Sequence, residues 1–294
     1  MAQSIDAAFA QFTAGLRTNS AETTAAAGHR ASIKAKLESE FGLTTLFRTG
    51  SFGNGTNVPG WSDVDYFAVI PTASLKQNSQ MTLARVASAV RERFPTTMNI
   101  RVNSPGVQVP FGLDGAEHTE IIPVDYTGQT KLGFRQFDIP DGNGGWMFSA
   151  PESHNAFVRF HDDRLGGKLK PLIRCLKAWK FQRNVPIKSF YLEMFAVACM
   201  VDEPVIVYSI DIKNILSRLV QLAAAPIIDP RFSDKTISAC GTELQREEIV
   251  ARAMTASAWA TQAKEHEGKG QLRQAFERWD LVFGNTFPPY TPWL

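Results

Sequence analysis

Gly50-Ser51-Phe52-Gly53-Asn54-Gly55-Thr56-Asn57-Val58-Pro59-Gly60-Trp61-Ser62-Asp63-Val64-Asp65-Tyr66 joins two short apolar stretches, residues 43–48 before it and 64–70 after it. Its Gly, Asn, Thr and Pro content excludes regular structure over residues 50–60 and predicts a loop between two strands. A Gly-Ser turn after a strand presents backbone N–H groups and a hydroxyl together, which suits the oxygens of a triphosphate. Asp63 and Asp65 open the second strand, and the strand period of two puts both carboxylates on one face. Mg²⁺ takes one or two carboxylates plus substrate phosphates, so such a pair can hold hard divalent cations. A lone Asp-x-Asp is more often a turn or surface pair. The ordered set of strand, Gly-Ser loop, Asp-x-Asp and apolar strand is the informative signal.

A third carboxylate is expected on a neighbouring strand, and His118-Thr119-Glu120-Ile121-Ile122-Pro123-Val124-Asp125 offers two. Glu120 opens the apolar run and is the first choice; its structural alternative is a solvated strand-edge charge. Asp125 follows Pro123, where the strand should be ending, and is held in reserve. Upstream, Ile5, Phe9, Phe12 and Leu16 recur at helical spacing. Asn19 with Glu22 predicts the cap of a longer helix through Ile33, Leu37 and Phe41 that stops at Gly42. Leu83, Val86, Val90 and Phe94 mark a further helix, and short strands are expected at 99–102, 107–111 and 119–124. From about residue 150 the pattern turns helical, with spans at 151–164, 168–183, 189–201, 204–223, 243–266 and 270–283. The expected class is α+β: a catalytic lobe with a mixed sheet over 1–150, and a helical lobe over 151–294 packed on it.

In the span 168–183, Leu169, Leu172, Ile173, Leu176 and Trp179 form an apolar stripe. Lys170, Arg174 and Lys177 share the other face, for which plain solvation is the structural alternative, and Lys180 lies at the stripe's edge. Ser189 has a plain N-cap as its structural alternative. His154 has no Cys or His nearby and is expected to be structural, as Trp61 and Tyr66 are expected to fill the core. Of the 294 residues 44% are apolar and 20% charged, enough for a sizeable core and against global disorder. A formal charge of +2 gives no bulk electrostatic case for duplex binding. Cys175, Cys199 and Cys240 have no metal-ligand spacing and are expected to be reduced thiols. Residues 1–12 lack a basic segment followed by an apolar run, so no secretory signal is expected. The longest apolar stretch, near 195–200, is too short for a bilayer, and a cytoplasmic place with no membrane partner is expected.

Gly50-Ser51, Asp63-Val64-Asp65 and Glu120-Ile121-Ile122-Pro123 resemble the motif set of the polymerase β-like nucleotidyltransferases. More narrowly, they resemble the bacterial cGAS/DncV-like nucleotidyltransferases, relatives of oligoadenylate synthase. Lys170–Lys180 resembles that family's helix with a Lys-x-Trp core, Ser189–Glu193 the start of its next helix, and Ala150–Asn155 its Pro-x-x-His segment. The resemblance runs over about residues 27 to 200. It implies that Asp63, Asp65 and Glu120 are catalytic and hold two Mg²⁺, with Mn²⁺ as the alternative ion. It implies further that Gly50, Ser51, Lys177, Ser189, Lys180 and Ser149 bind nucleotide, with Ser149 bearing on a purine base. The implied product is a cyclic di- or trinucleotide made from nucleoside triphosphates, ATP among them. That product would act on a downstream effector in bacterial anti-phage (CBASS) signalling, with no nucleic-acid activator. Glu120 departs from the family's commoner aspartate. A transferase of the same fold with another acceptor, and a nucleotide-binding regulator without chemistry, are the alternatives.

Overall fold

The computed structural model describes residues 2–17, 20–112 and 117–292. The cap expected at Asn19 lies outside the described residues. The chain divides into two compact units, one of Thr18–Phe157 and the other of Met1–Arg17 with Val158–Leu294. Along it, α1 (Ile5–Gly15) and α2 (Ser20–Phe41) are followed by β1 (Thr45–Arg48), α3 (Gly50–Asn54), β2 (Val64–Val69) and α4 (Ser79–Arg93). Next come β3 (Arg101–Asn103), β4 (Gly106–Phe111), β5 (Glu117–Gln129), β6 (Arg135–Pro140) and β7 (Trp146–Ser149). The class is α+β, as the sequence predicts.

The unit Thr18–Phe157 is built on one mixed sheet in the order β1-β2-β5-β4-β3, with β6 paired to β5 and β7 to β6. Only β2 and β5 run parallel, in a register that sets Asp65 beside Glu120, Phe67 beside Ile122 and Val69 beside Val124. Alternation then sorts the side chains. Val64, Tyr66, Ala68, Val107, Val109 and Ile121 go to one face, where they join Ile33, Leu37, Val86 and Val90 of α2 and α4 in a buried core. Phe67, Val69, Ile122 and Val124 go to the other, packed with Phe137 and Ile139 of β6. Along that second face β2 and β5 change from carboxylates to apolar residues within one strand repeat.

In this unit two expectations need correcting. The stretch 50–60 is not all loop, because Gly50–Asn54 forms the single helical turn α3. The strand at 119–124 is longer: β5 continues through Pro123 to Gln129. Proline is tolerated there because β4 pairs with β5 only as far as Ile121, and β6 takes over from Asp125, so Pro123 has no ladder partner on that side. The hairpin of β6 and β7 went unmarked in the sequence pattern.

The other unit adds α5 (Pro151–Arg164), which starts in the first unit, then α6 (Leu169–Gln182), α7 (Ser189–Met200) and α8 (Tyr208–Gln221). A two-residue pair, β8 (Ile227–Ile228) and β9 (Thr236–Ile237), interrupts the helices expected to run without strands, and α9 (Glu243–Gly268) and α10 (Leu272–Val282) complete it. The first helix is held by an aromatic cluster: Phe9 meets Trp279 edge-on at 5.0 Å and Phe287 at 4.9 Å, and Phe12 meets Phe283 at 4.5 Å. The solvated alternative for the basic face of α6 does not hold. The helix packs against α1, α7 and α8, so Arg174 and Lys177 are buried together with the apolar stripe. Among the described residues no helix is long and apolar enough to cross a membrane.

Candidate functional site

The stretch from Gly50 to Asp65 is tied to β2 at both ends. The Thr49 N–H donates to the Asp65 carbonyl at 2.9 Å, and α3 starts at the next residue. Gly50 has φ +56°, a left-handed conformation that disfavours any Cβ, and a Cβ there would stand 1.8 Å from Asp65 Oδ2. Glycine is therefore required twice over, by the turn and by the carboxylate that occupies its side-chain space. The remainder of the stretch closes on itself: Thr56 N–H donates to the Ser51 carbonyl, Val58 N–H to Ser62 Oγ, and Ser62 N–H back to the Val58 carbonyl. Asn54, Thr56, Asn57 and Val58 are buried, which makes this a folded connector that delivers Asp63 to the start of β2.

Asp65 and Glu120 are direct neighbours across the parallel ladder, and Asp63 lies two residues earlier on the same face. All three are half-buried. Burial first, and then the negative charge of Asp63, push the Glu120 carboxyl up to about 7. Asp125 is not part of this group. It lies five positions beyond Glu120, an odd offset that turns it to the other side, where it accepts a hydrogen bond from Thr72 Oγ1 at 2.7 Å. Among the described residues no set of three or more His, Cys, Asp and Glu side chains is drawn close enough to hold a metal ion unaided. The donors nonetheless suit a hard divalent cation in kind, since they are carboxylates whose mutual repulsion such an ion would relieve, with phosphate and water as further ligands.

The beginning of α5 packs beside α3 within the same unit. Asn155 Nδ2 lies 3.5 Å from where a Cβ on Gly53 would stand. Glu152 pairs with Arg135 of β6, whose guanidinium lies 4.3 Å above the Phe47 ring. Sequence reading passed over this Arg135–Glu152 pair, whose members are 17 residues apart with no helical or strand period to link them. His154 is buried and donates from Nδ1 to the Ala150 carbonyl at 3.3 Å, in line with a structural role. Ser149 is half-buried at the end of β7, opposite Phe137.

The remaining expected residues belong to the helical unit. Lys180 Nζ donates to Ser189 Oγ at 2.6 Å, which brings together the end of α6 and the first residue of α7, and both side chains are half-buried. Ser189 opens α7 but is not its N-cap; Lys188 is. Lys177 is 1% exposed and pairs with Glu193 of α7 at 2.7 Å. Glu193 was the signal missed, an acid within the apolar pattern of α7 that a buried cation requires. Cys175 is fully buried and its thiol is pushed up by that burial, in keeping with an inert thiol.

Residues 3–160 match the family described as the Second Messenger Oligonucleotide or Dinucleotide Synthetase (SMODS) domain. A probable cyclic nucleotide synthase of Bacillus cereus strain VD146 is 25% identical over 174 residues, 58% of this chain; the matched part is 52%, about half, of that relative's length. The structure of CdnC from Escherichia coli MS115-1 with ATP superposes with a TM-score of 0.74 at 20% identity, covering 96% of this chain and 98% of that one. DncV of Vibrio cholerae bound to 3′-deoxy-GTP gives 0.73 at 14% identity, covering 94% and 93%. At these identities the two structures show a shared fold.

Proposed function

Since residues 3–160 are more than half of it, the chain belongs to the SMODS family of nucleotidyltransferases, and we propose that it joins nucleoside triphosphates into a cyclic di- or trinucleotide second messenger. The observation that carries this is the register of β2 on β5, which lines up Asp63, Asp65 and Glu120 beside the Gly50–Ser51 turn. In each transfer a ribose hydroxyl oxygen attacks the α-phosphorus of a triphosphate. The bond to the β-phosphate breaks, pyrophosphate leaves, and the hydroxyl proton passes to solvent.

Asp63, Asp65 and Glu120 would hold Mg²⁺, which when bound lowers the cost of ionising the hydroxyl and offsets charge on the leaving pyrophosphate. The Gly50–Ser51 turn orients phosphate oxygens through its backbone N–H groups and the Ser51 hydroxyl. Of the two lysines the resemblance singles out, we assign the phosphate contact to Lys180 with Ser189, because Lys177 already faces Glu193 in a buried pair. Ser149 is assigned to the base. The fold of a CdnC solved with ATP and of a DncV solved with a GTP analogue supports purine nucleotides as substrates. The further reading, a cytoplasmic signal of bacterial anti-phage defence acting on an effector protein, rests on the family resemblance.

The deciding experiment incubates the purified protein with all four nucleoside triphosphates and Mg²⁺ and resolves the products by mass spectrometry after phosphatase treatment. A phosphatase-resistant cyclic product, lost in Asp63→Ala/Asp65→Ala, is expected. Nucleotide binding without any such product would refute the synthase.

A further inference from the structure

Gly106 opens β4 and is buried. Two residues on, Gln108 stands opposite Glu120 in the β4–β5 ladder, so the strand period places Gly106 on the face that carries Glu120. Unlike Gly50, it has a φ outside the left-handed region, and its backbone does not itself call for glycine. What excludes a side chain is its surroundings. A Cβ built on Gly106 would lie 2.5 Å from Glu120 Cγ, 3.0 Å from Cδ and 3.1 Å from Oε1. The three nearest atoms all belong to Glu120.

We propose that Gly106 is a positioning residue for Glu120, its missing side chain being the space over β4 in which the acid folds, which fixes the place of its carboxylate on the face that carries Asp63 and Asp65. This rests on Glu120 being the third carboxylate of the site. A glutamate must house two methylenes before its carboxylate, and Gly106 supplies the room. Any larger residue at 106 forces Glu120 into another rotamer and displaces its carboxylate relative to Asp63 and Asp65.

The test compares wild type, Gly106→Ala, Glu120→Ala and the double variant. It uses thermal melting, Mn²⁺ binding followed by electron paramagnetic resonance of the free ion, and product formation. Gly106→Ala is expected to weaken Mn²⁺ binding and to lower kcat about 100-fold with KM for nucleotide little changed, as misplacement of about 1 Å does. On the Glu120→Ala background, where the clash is gone, the same substitution should change neither melting nor Mn²⁺ binding. If Gly106→Ala fails to fold, a folded double variant still supports the proposal, because the space then belongs to Glu120. Wild-type Mn²⁺ binding and turnover in Gly106→Ala overturns it, as does equal loss of melting temperature on both backgrounds. Full activity in Glu120→Ala would instead remove Glu120 from the site, which is the failure of the earlier reading.

Discussion

Gly50 shows how one residue can serve backbone and chemistry together. Alanine there meets a left-handed φ and the Asp65 carboxylate at once, so Gly50→Ala should cost about 1–2 kcal/mol of stability and lower kcat/KM by about 100-fold or more. Melting and steady-state kinetics on the same preparation check both. Lys177 belongs to a different class. Lys177→Ala removes the cation 2.7 Å from the buried Glu193 and should cost about 3–5 kcal/mol, whereas Lys177→Met/Glu193→Leu should recover most of it. Denaturant melts measure this. Retained product formation in the double variant would place Lys177 outside nucleotide binding, and loss of product in a well-folded one would restore it. The carboxylates were legible in the sequence because a period of two is a rigid rule once a strand is recognised. The burial of Lys177 was not, since no helical period links it to Glu193 of α7, the acid it pairs with in the interior.

The two strands β6 and β7 escaped the sequence pattern for a reason that lies in their length. Residues 135–140 alternate only three times and end in proline, and residues 146–149 are too few to show a period, so the Gly-rich stretch 142–145 between them was the available hairpin signal. The pair matters because β6 carries Arg135, which binds Glu152 at the start of α5. Hydrogen bonding by Arg135 holds the Glu152 carboxyl below its ordinary value, against the opposing effect of burial. A depressed acid stabilises the fold above its unfolded pKa and loses that contribution as pH falls through its folded one. Glu152→Gln should therefore melt about 1–3 °C below wild type at pH 7, a modest effect for a partly exposed pair, and the gap should close as pH falls below 4. A gap that stays constant from pH 7 to 3 would show that the ion pair is not its source. By contrast, the expected helices lie within a few residues of the observed ones, because long amphipathic periods and glycine stops leave little freedom.

On the scale of the molecule, the grouping of residues 1–17 with Val158–Leu294 follows from aromatic packing that no local pattern announces. Phe9→Ala should destabilise that unit by about 3–5 kcal/mol. Hydrogen exchange should quicken in α1 and α10 while β2 and β5 keep their protection, and uniform quickening across the chain would contradict the division into units. The parallel pairing of β2 with β5 has a kinetic side as well. Asp65 and Glu120 are 55 positions apart, so no nascent or partly folded segment contains the group of carboxylates. Closing that span is a slow, non-local step whose entropy is spent before any contact repays it. Until the ribosome has released the chain beyond β5 and the sheet has zipped up around it, Asp65 has no Glu120 beside it. A chain stopped before β5 therefore lacks Glu120 and cannot assemble the group at all.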